Sequence, residues 1–599
     1  MDAKSTTASG NGLQVGIVGA GVAGLSAAIA LRRIGHDVEV FERSQFRNEN
    51  GAAVSIPPNG GRILQYWGFD AVKAGGIENI QARRPKGDTL EPMAPTLSFA
   101  NVEQQFGNKW FFYHRVDMHR HLREMAEAAG STIRLGAQVT DVDPETGIIS
   151  LKDGSHVQKD LVIVADGQHD RLNVKITGKE VPMKRSGQTA YRCLIPMADI
   201  LADEETAPLF ENQAPGFWAP ALPAKGVMAV TYPCRNNEIL NVLAVHRKLG
   251  QHATVTEQDD AVIEDWNFPA THDDLERVLD GFHPSVKKVF LKSPEVKVYT
   301  QMKREPLCKM TKGKAVLIGD ACHPMLLTHA QGVSSSIEDA AALEIFLADV
   351  QVQGHGDADA DAAEKLNLKL QQRLEQFEKF RLPRVSATQI LTDPVVPGPQ
   401  AAAKYAAQEA EIRKYYSGPL PPTGAMPHSP PICQFFFGYD VRKEALEYLE
   451  AEAEAEADKT AAATAATSTT PTFQVSEQLA PIAEADDEAF GSVEIAPALA
   501  PTTTHTSSDS PKPVVVEPGA AAPVVQEKAI VQVISGTTSS VPHPQTSMEK
   551  RILDLENKLA DMEKKLSHMM IQVSTTEVQP TPPQSPPAHF DMQPLVFSS

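Results

Sequence analysis

Through the first 445 residues, short apolar runs stopped by glycine or an acid alternate with longer stretches whose apolar positions recur at helical spacing. Val15–Val18 carries no polar side chain, the pattern of a strand covered on both faces. It breaks at Gly19-Ala20-Gly21-Val22-Ala23-Gly24, passes into an amphipathic stretch ending at Arg33, and is followed by a second apolar run closing on Glu42. That order predicts strand, glycine turn, helix and strand. Two more apolar runs end the same way. Lys159–Gly167 (KDLVIVADG) stops at Asp166-Gly167, and Ala315–Ile318 stops at Gly319-Asp320. After the second, a loop with Pro324 and Gln331-Gly332 leads to a helix predicted to begin near Val333. Between them, Gly187–Pro196 reads as a strand of a separate sheet, with Val227–Pro233 and Ile239–Val245 as a hairpin within it.

The pattern changes near residue 450. AEAEAEADKTAAATAATSTTPT opens a Pro/Thr/Ser/Ala-rich stretch that runs to about residue 547. It has too few large apolar side chains to offset the entropy of ordering, so disorder is expected over 446–547 and again over 574–599. Between these, Ile552, Leu555, Leu559, Met562, Leu566, Met569 and Val573 recur at steps of three and four. With Glu549, Glu556 and Glu563 at e and Arg551, Lys558 and Lys565 at g, residues 548–573 predict a short coiled coil suited to parallel self-association. A single amphipathic helix is the other reading of the same pattern.

Net charge is −20, but residues 451–599 hold 20 of the acids and 8 of the bases, so the remainder is only mildly acidic. An acidic balance argues against a nucleic-acid groove or an anionic membrane as partner. The five cysteines, Cys193, Cys234, Cys308, Cys322 and Cys433, show no metal-ligand spacing, which fits a reduced cytoplasmic setting and no bound metal. The opening MDAKSTTASGNG has no basic segment followed by an apolar one. No apolar run approaches the roughly 20 residues of a membrane span.

The glycine turn carries the strongest chemistry. Gly19 permits the tight turn, Gly21 lets a pyrophosphate approach the backbone, and Gly24 lets the helix pack on the sheet. Backbone N–H groups and the positive helix end face the phosphates. Glu42 stands where an acid accepts hydrogen bonds from a ribose diol. Asp320, at the end of a later strand, suits the hydroxyls of a polyol linker, and the amides of Gly332 and Val333 suit negative charge on a reduced isoalloxazine. Asp166-Gly167 is either a further nucleotide contact or an ordinary strand-end turn.

These three motifs, in this order, resemble the single-component FAD-dependent aromatic hydroxylases, in the salicylate-hydroxylase-like and fungal secondary-metabolite branch. Gly51–Gly60 is similar to the segment beside the flavin, which carries Ala53. Phe112–Asp117 resembles the segment with a flavin-contacting arginine, which carries over to Arg115, and QFFFGYDV at Gln434–Val441 resembles the closing aromatic segment. Asp170, Asn173 and Leu327 depart from the usual pattern. The resemblance covers about residues 12–445. It implies an α/β fold in which a Rossmann-type FAD-binding domain (12–180 and 301–445) is interleaved with a mixed-sheet substrate domain (181–300). The cofactor set is then Gly19, Gly21, Gly24, Glu42, Arg43, Ala53, Arg115, Asp320, Gly332 and Val333. With one GxGxxG and no second nucleotide domain, NAD(P)H is expected to dock transiently, reduce FAD and leave. Oxygen transfer to an electron-rich ring through a flavin C4a-hydroperoxide is the reaction the resemblance implies, with an aromatic small molecule and O2 as substrates.

In the fungal branch an arginine and a tyrosine on the second sheet hold a phenolate; the matching residues are Arg192 and Tyr232. A cation beside the phenol favours the more nucleophilic phenolate. Each has a plainer alternative, an ion pair for Arg192 and a packed strand position for Tyr232. His323 is either a proton carrier or a loop residue satisfying backbone groups, and Cys322 reads as a small buried apolar residue. Epoxidation of a terpenoid alkene and a non-catalytic binding module of the same fold are the competing functions.

Overall fold

The computed structural model describes residues 12–46, 51–168, 172–247, 268–351, 360–395 and 399–468. The chain divides into two compact units, Met1–Ser476 and Glu477–Ser599, and every described residue belongs to the first. The heptads at 548–573, the segments 469–547 and 574–599, and Asp170 lie outside the described residues.

A six-stranded sheet is laid down in the order Thr311–Lys312, Ala315–Leu317, Leu161–Val164, Gln14–Val18, Asp37–Glu42, Thr132–Leu135. All neighbours are parallel except the Thr311–Lys312 edge. Its inner strands are continuously apolar because both faces are covered: Leu161–Val164 and Ala315–Leu317 are buried at every position. The alanine-rich helix Val22–Arg33 packs tightly against the helix Gly332–Phe346, and Arg115–Ala128 packs beside it. Small side chains bring these helices close enough to share one core with the sheet.

A second, mixed sheet runs Phe268–Ala270, Val296–Lys303, Lys184–Pro196, Ile239–Arg247, Val227–Cys234, Gly216–Trp218, Gln81–Arg83, Leu97–Ser98. Val227–Cys234 and Ile239–Arg247 form the expected antiparallel hairpin, and two short strands join from the segment before residue 180. Strand alternation sorts the side chains. Cys193, Ile195, Ala229, Val242, Ala244 and Val296 turn to the back and bury Leu275, Val286, Val289 and Phe290 of two covering helices. Arg192 stands opposite Leu243 and Lys297, Tyr299 opposite Ala190, and Tyr232 opposite Asn241, which puts all of them on the front. That face looks toward a small antiparallel sheet, Ala53–Ile56, Phe111–His114 and Ile77–Glu78.

The final described helix, Val441–Ser468, corrects one expectation. Disorder was expected from 446, but helix continues to 468. Ala and Glu are among the strongest helix formers, and their summed propensity carries the helix past the last core residue, Ala445. No described helix is long and apolar enough to cross a membrane.

Candidate active site

The glycine turn is built as its spacing requires. Gly19 adopts φ +99, and a Cβ there would meet the Ala165 carbonyl oxygen at 2.5 Å. A Cβ on Gly24 would lie 1.9 Å from the Gly19 oxygen, so only glycine lets the helix sit this close to the turn. Above Gly21, by contrast, a Cβ would meet nothing within 4 Å. Gly21 caps Val22–Arg33 with no side-chain hydrogen bond and no acid follows in the first turn, leaving backbone donors at a positive helix end. Glu42 is drawn over the turn: its Oε2 accepts the Ala20 N–H at 2.8 Å and its Oε1 the Ser44 N–H at 2.7 Å. Each oxygen keeps a second lone-pair direction for a diol. Arg43 follows on the exposed side.

The other motifs converge on the same helix end. Gly319, at φ +60, brings its turn so close that a Cβ would meet that of Ala23 at 2.8 Å and Ser336 Oγ at 3.0 Å. Asp320 is therefore exposed beside the first turn of Val22–Arg33. The helix Gly332–Phe346 begins with no side-chain cap and no acid in its first turn, leaving the amides near Gly332 and Val333 as backbone donors at a positive helix end. Arg115 opens its own helix, with its N–H donated to Ala52 at 2.8 Å. That helix is tied to the glycine turn by His119 Nε2, 2.7 Å from the Ala20 oxygen. A cradle that is open at Gly21, uncapped at two helix ends and acidic at Glu42 and Asp320 fits the pyrophosphate, ribose, polyol and ring of FAD.

Behind it lies a buried polar network. Asp339 Oδ2 accepts the Gly319 N–H at 3.0 Å and meets His323 Nε2 at 2.6 Å. Arg381, fully buried, reaches Asp339 Oδ1 at 3.0 Å and Glu338 Oε2 at 3.2 Å. Asn59 Nδ2 donates to Glu338 Oε1 at 2.7 Å and to Gln331 Oε1 at 2.9 Å. His323 is thus engaged with a buried carboxylate that holds the Gly319 turn. Arg304, buried nearby, donates to the carbonyls of Ala321 and Cys322 at 2.7 and 2.9 Å. Burial lowers its pKa against the opposing pull of Cys322, Asp166 and Asp320. Burial pushes the Cys322 thiol up, as befits an apolar packing residue.

Arg192 is 8% exposed on the front of the second sheet. Burial draws its pKa down; Tyr299 opposes this and Arg115 adds to it, so Arg192 lies within electrostatic reach of both. Tyr232 is differently placed. Its hydroxyl donates to the Ala53 oxygen at 3.1 Å, while Asn241 Oδ1 accepts the Ala53 N–H at 3.2 Å. Two side chains of the second sheet thus hold the backbone of one residue of the small sheet, on both its N–H and its carbonyl. The Tyr232 ring packs on Phe112 and Phe217, with centroids at 4.6 and 5.3 Å, and burial raises its pKa. The proton expected to reach a phenolate is given to Ala53. Trp110, Phe436 and Phe437 complete this apolar cluster. Asn241, Arg304 and Arg381 were missed from the sequence, as were Trp110 and Phe217 of the aromatic cluster.

The FAD binding domain family model matches residues 12–378. The FAD-dependent monooxygenase cfoG of Aspergillus candidus is 32% identical over 451 residues, 73% of this chain and 95% of that protein. Hispidin-3-hydroxylase of Neonothopanus nambi is 32% identical, covering 56% of this chain and 81% of that one. Among solved structures, CtdE with FAD and a substrate aligns with TM-score 0.58 at 19% identity, covering 74% of this chain and all of that one. A salicylate hydroxylase substrate complex aligns with TM-score 0.55 at 19% identity, covering 74% and 98%. The fold is therefore that of the FAD-binding aromatic hydroxylases, and with the family model spanning the whole cradle the chain belongs to the FAD binding domain family of FAD-dependent monooxygenases.

Proposed function

We propose that this monooxygenase hydroxylates a phenolic or polyketide-like aromatic in secondary metabolism, using NAD(P)H and O2. The observation that carries the reading is Arg192, a buried cation that shares its sheet face with Tyr299 and an aromatic lining. FAD, when bound, supplies the redox and oxygen-activating chemistry. The residues do the rest. Gly19, Gly21, Gly24 and Glu42, with Arg43 beside them, hold the nucleotide, and Asp320 the polyol. Ala53 and Arg115 flank the ring, and the amides of Gly332 and Val333 face its charge. Arg192 favours the ionised form of a substrate phenol, and the lining excludes water. Tyr232 contributes by fixing Ala53 rather than by giving its proton to the substrate. The named relatives lend support to ring hydroxylation and none to alkene epoxidation.

NADPH and NADH oxidation, measured against phenols, benzoates, polyketide aromatics and terpenoid alkenes with peroxide assayed in parallel, tests the reading. Slow oxidation without substrate, with peroxide as its product, and acceleration by a phenolic aromatic that gains one oxygen are expected. Acceleration by alkenes alone would make the enzyme an epoxidase. Fast substrate-independent oxidation without peroxide would remove it from the monooxygenases.

A reducing, cytoplasmic setting is part of the proposal, supported by five unpaired cysteines. So is a parallel homo-oligomer through 548–573. Light scattering should find a concentration-dependent assembly in the full chain and not in a chain ending at 468, with FAD content equal in both. Equal sizes would refute the assembly, and FAD loss on truncation would refute the domain limit.

A further inference from the structure

His329 and His428 have no part in the roles above, yet they meet at the edge of the buried aromatic cluster. His329 lies just before the Gly332 helix, its carbonyl accepting from Gln331 Nε2 at 3.3 Å. Its side chain is 5% exposed, and one ring nitrogen bonds the backbone of Leu391. The other, Nδ1, has no hydrogen-bond partner among the described residues. Since the Leu391 bond is a donation to a carbonyl, Nδ1 carries a lone pair and is an acceptor. His428 comes from the distant loop before Pro430–Phe437, in a left-handed conformation (φ +61) fixed by the Ser429 N–H on the Met426 oxygen at 3.0 Å. For a non-glycine residue that conformation is uncommon, and its effect is to hold the ring flat on Phe217, centroids 5.4 Å apart and 9° from parallel. Its Nε2 is likewise buried and unpartnered among the described residues. The two imidazoles face each other at 6.4 Å, nearly perpendicular, with Trp110 and Phe436 completing the walls.

Burial pushes His329 down to about 4 and His428 well below its ordinary value, with His329 and Arg84 adding to the second shift. Both rings are neutral at physiological pH. Arg84 is itself engaged, donating to the Pro427 oxygen at 2.7 Å. This edge of the aromatic cluster therefore offers hydrogen bonds without positive charge. A desolvated carboxylate gains too little there, whereas a hydroxyl satisfies an acceptor that is otherwise costly to bury.

We propose that His329 Nδ1 and His428 Nε2 form a second polar pole of the substrate chamber, which binds an uncharged ring hydroxyl and selects hydroxyaryl substrates over those with a carboxylate or ether at that position. This rests on the aromatic-hydroxylase reading above and narrows its substrate class.

Flavin absorbance changes on titrating the FAD-loaded full chain with matched probes test it: resorcinol against 1,3-dimethoxybenzene, and 1-naphthol against 1-methoxynaphthalene and 1-naphthoate. The wild type should prefer the hydroxyl member by about tenfold, the size of one well-placed hydrogen bond. His329→Leu should reduce that preference to within about twofold while leaving FAD content and ether binding unchanged. His329→Asn, whose amide oxygen stands near the position of Nδ1, should restore part of it. His428→Phe, which keeps the stack on Phe217, should narrow the same preference and serves if His329→Leu fails to fold. A wild type without preference, or variants that keep it, overturns the proposal. If no aromatic stimulates NADPH oxidation, the functional reading falls; if one does and the variants still discriminate, only the histidine pole falls.

Discussion

Arg381→Leu is expected to destabilise the FAD-loaded protein by roughly 3–5 kcal/mol, the range for breaking a buried ion pair from one side. The guanidinium is fully buried and bonds Asp339 Oδ1 and Glu338 Oε2. Leucine fills much of the volume but leaves two buried carboxylates without their cation. Total stability of a domain is about 5–15 kcal/mol, so this one change removes a large share of it. Burial pushes Asp339 up, but His323 and Arg381 more than offset this and hold it below its ordinary value of 3.8. A depressed carboxylate stabilises the fold above its unfolded pKa, and that contribution is lost as pH falls through the folded one. Without Arg381 the depression shrinks, so the loss on acidification should be smaller and complete at a higher pH than in the wild type. Because Asp339 also holds the Gly319 N–H, FAD should be released more readily at temperatures below melting. Urea titration of the holoprotein at several pH values measures both effects. A change under about 1 kcal/mol with an unaltered acid limb would show that the network repacks around the missing charge.

Arg192→Ala is expected to leave FAD content intact and to lower product formation by about 100-fold or more, which is about 2.7 kcal/mol of transition-state stabilisation. In the proposed role the cation orients the substrate ring and favours its phenolate, neither of which alanine can do. NADPH consumption should become uncoupled, with peroxide rising as product falls. Arg192→Lys keeps the charge without the planar fork and should fall between the two. Product per bound FAD, read beside the melting temperature, separates this role from a structural one. A variant that melts lower but turns over normally would make Arg192 a strut between sheet strands.

What was legible from sequence is what is encoded locally. The glycine turn, the helix after it, the strand ends at Asp166 and Gly319, and the hairpin at 227–247 each follow from a few consecutive residues, because turn geometry and strand alternation are local constraints. The contacts that were missed run across the fold. Tyr232 finds the carbonyl of Ala53, Asn241 the N–H of the same residue, and Arg381 the carboxylate at 339. Spacing along the chain says nothing about which hydroxyl will meet which carbonyl once two sheets are docked. Tyr232 shows this most plainly: its residue type and strand position suggested a substrate contact, but its hydroxyl bonds a carbonyl of another sheet. The helix past 445 failed for a different reason. Low apolar content was read as disorder, although helix propensity alone favours order there.

One pairing in the first sheet reaches beyond the finished molecule. Leu161–Val164 and Ala315–Leu317 are hydrogen-bonded neighbours, yet most of the second sheet is spelled out between them. On the ribosome, the apolar strand at 161–164 waits without a partner on that side until the chain has grown past residue 317. An unpaired apolar edge is a template for other chains, and pairing across such a sequence distance is slow. Nascent chains that stop within the inserted segment are therefore the aggregation-prone species of this protein, and slower translation of residues 315–317 lengthens the hazard. Most of the second sheet is synthesised before the cradle can close, so the flavin is the last component for which the fold makes room.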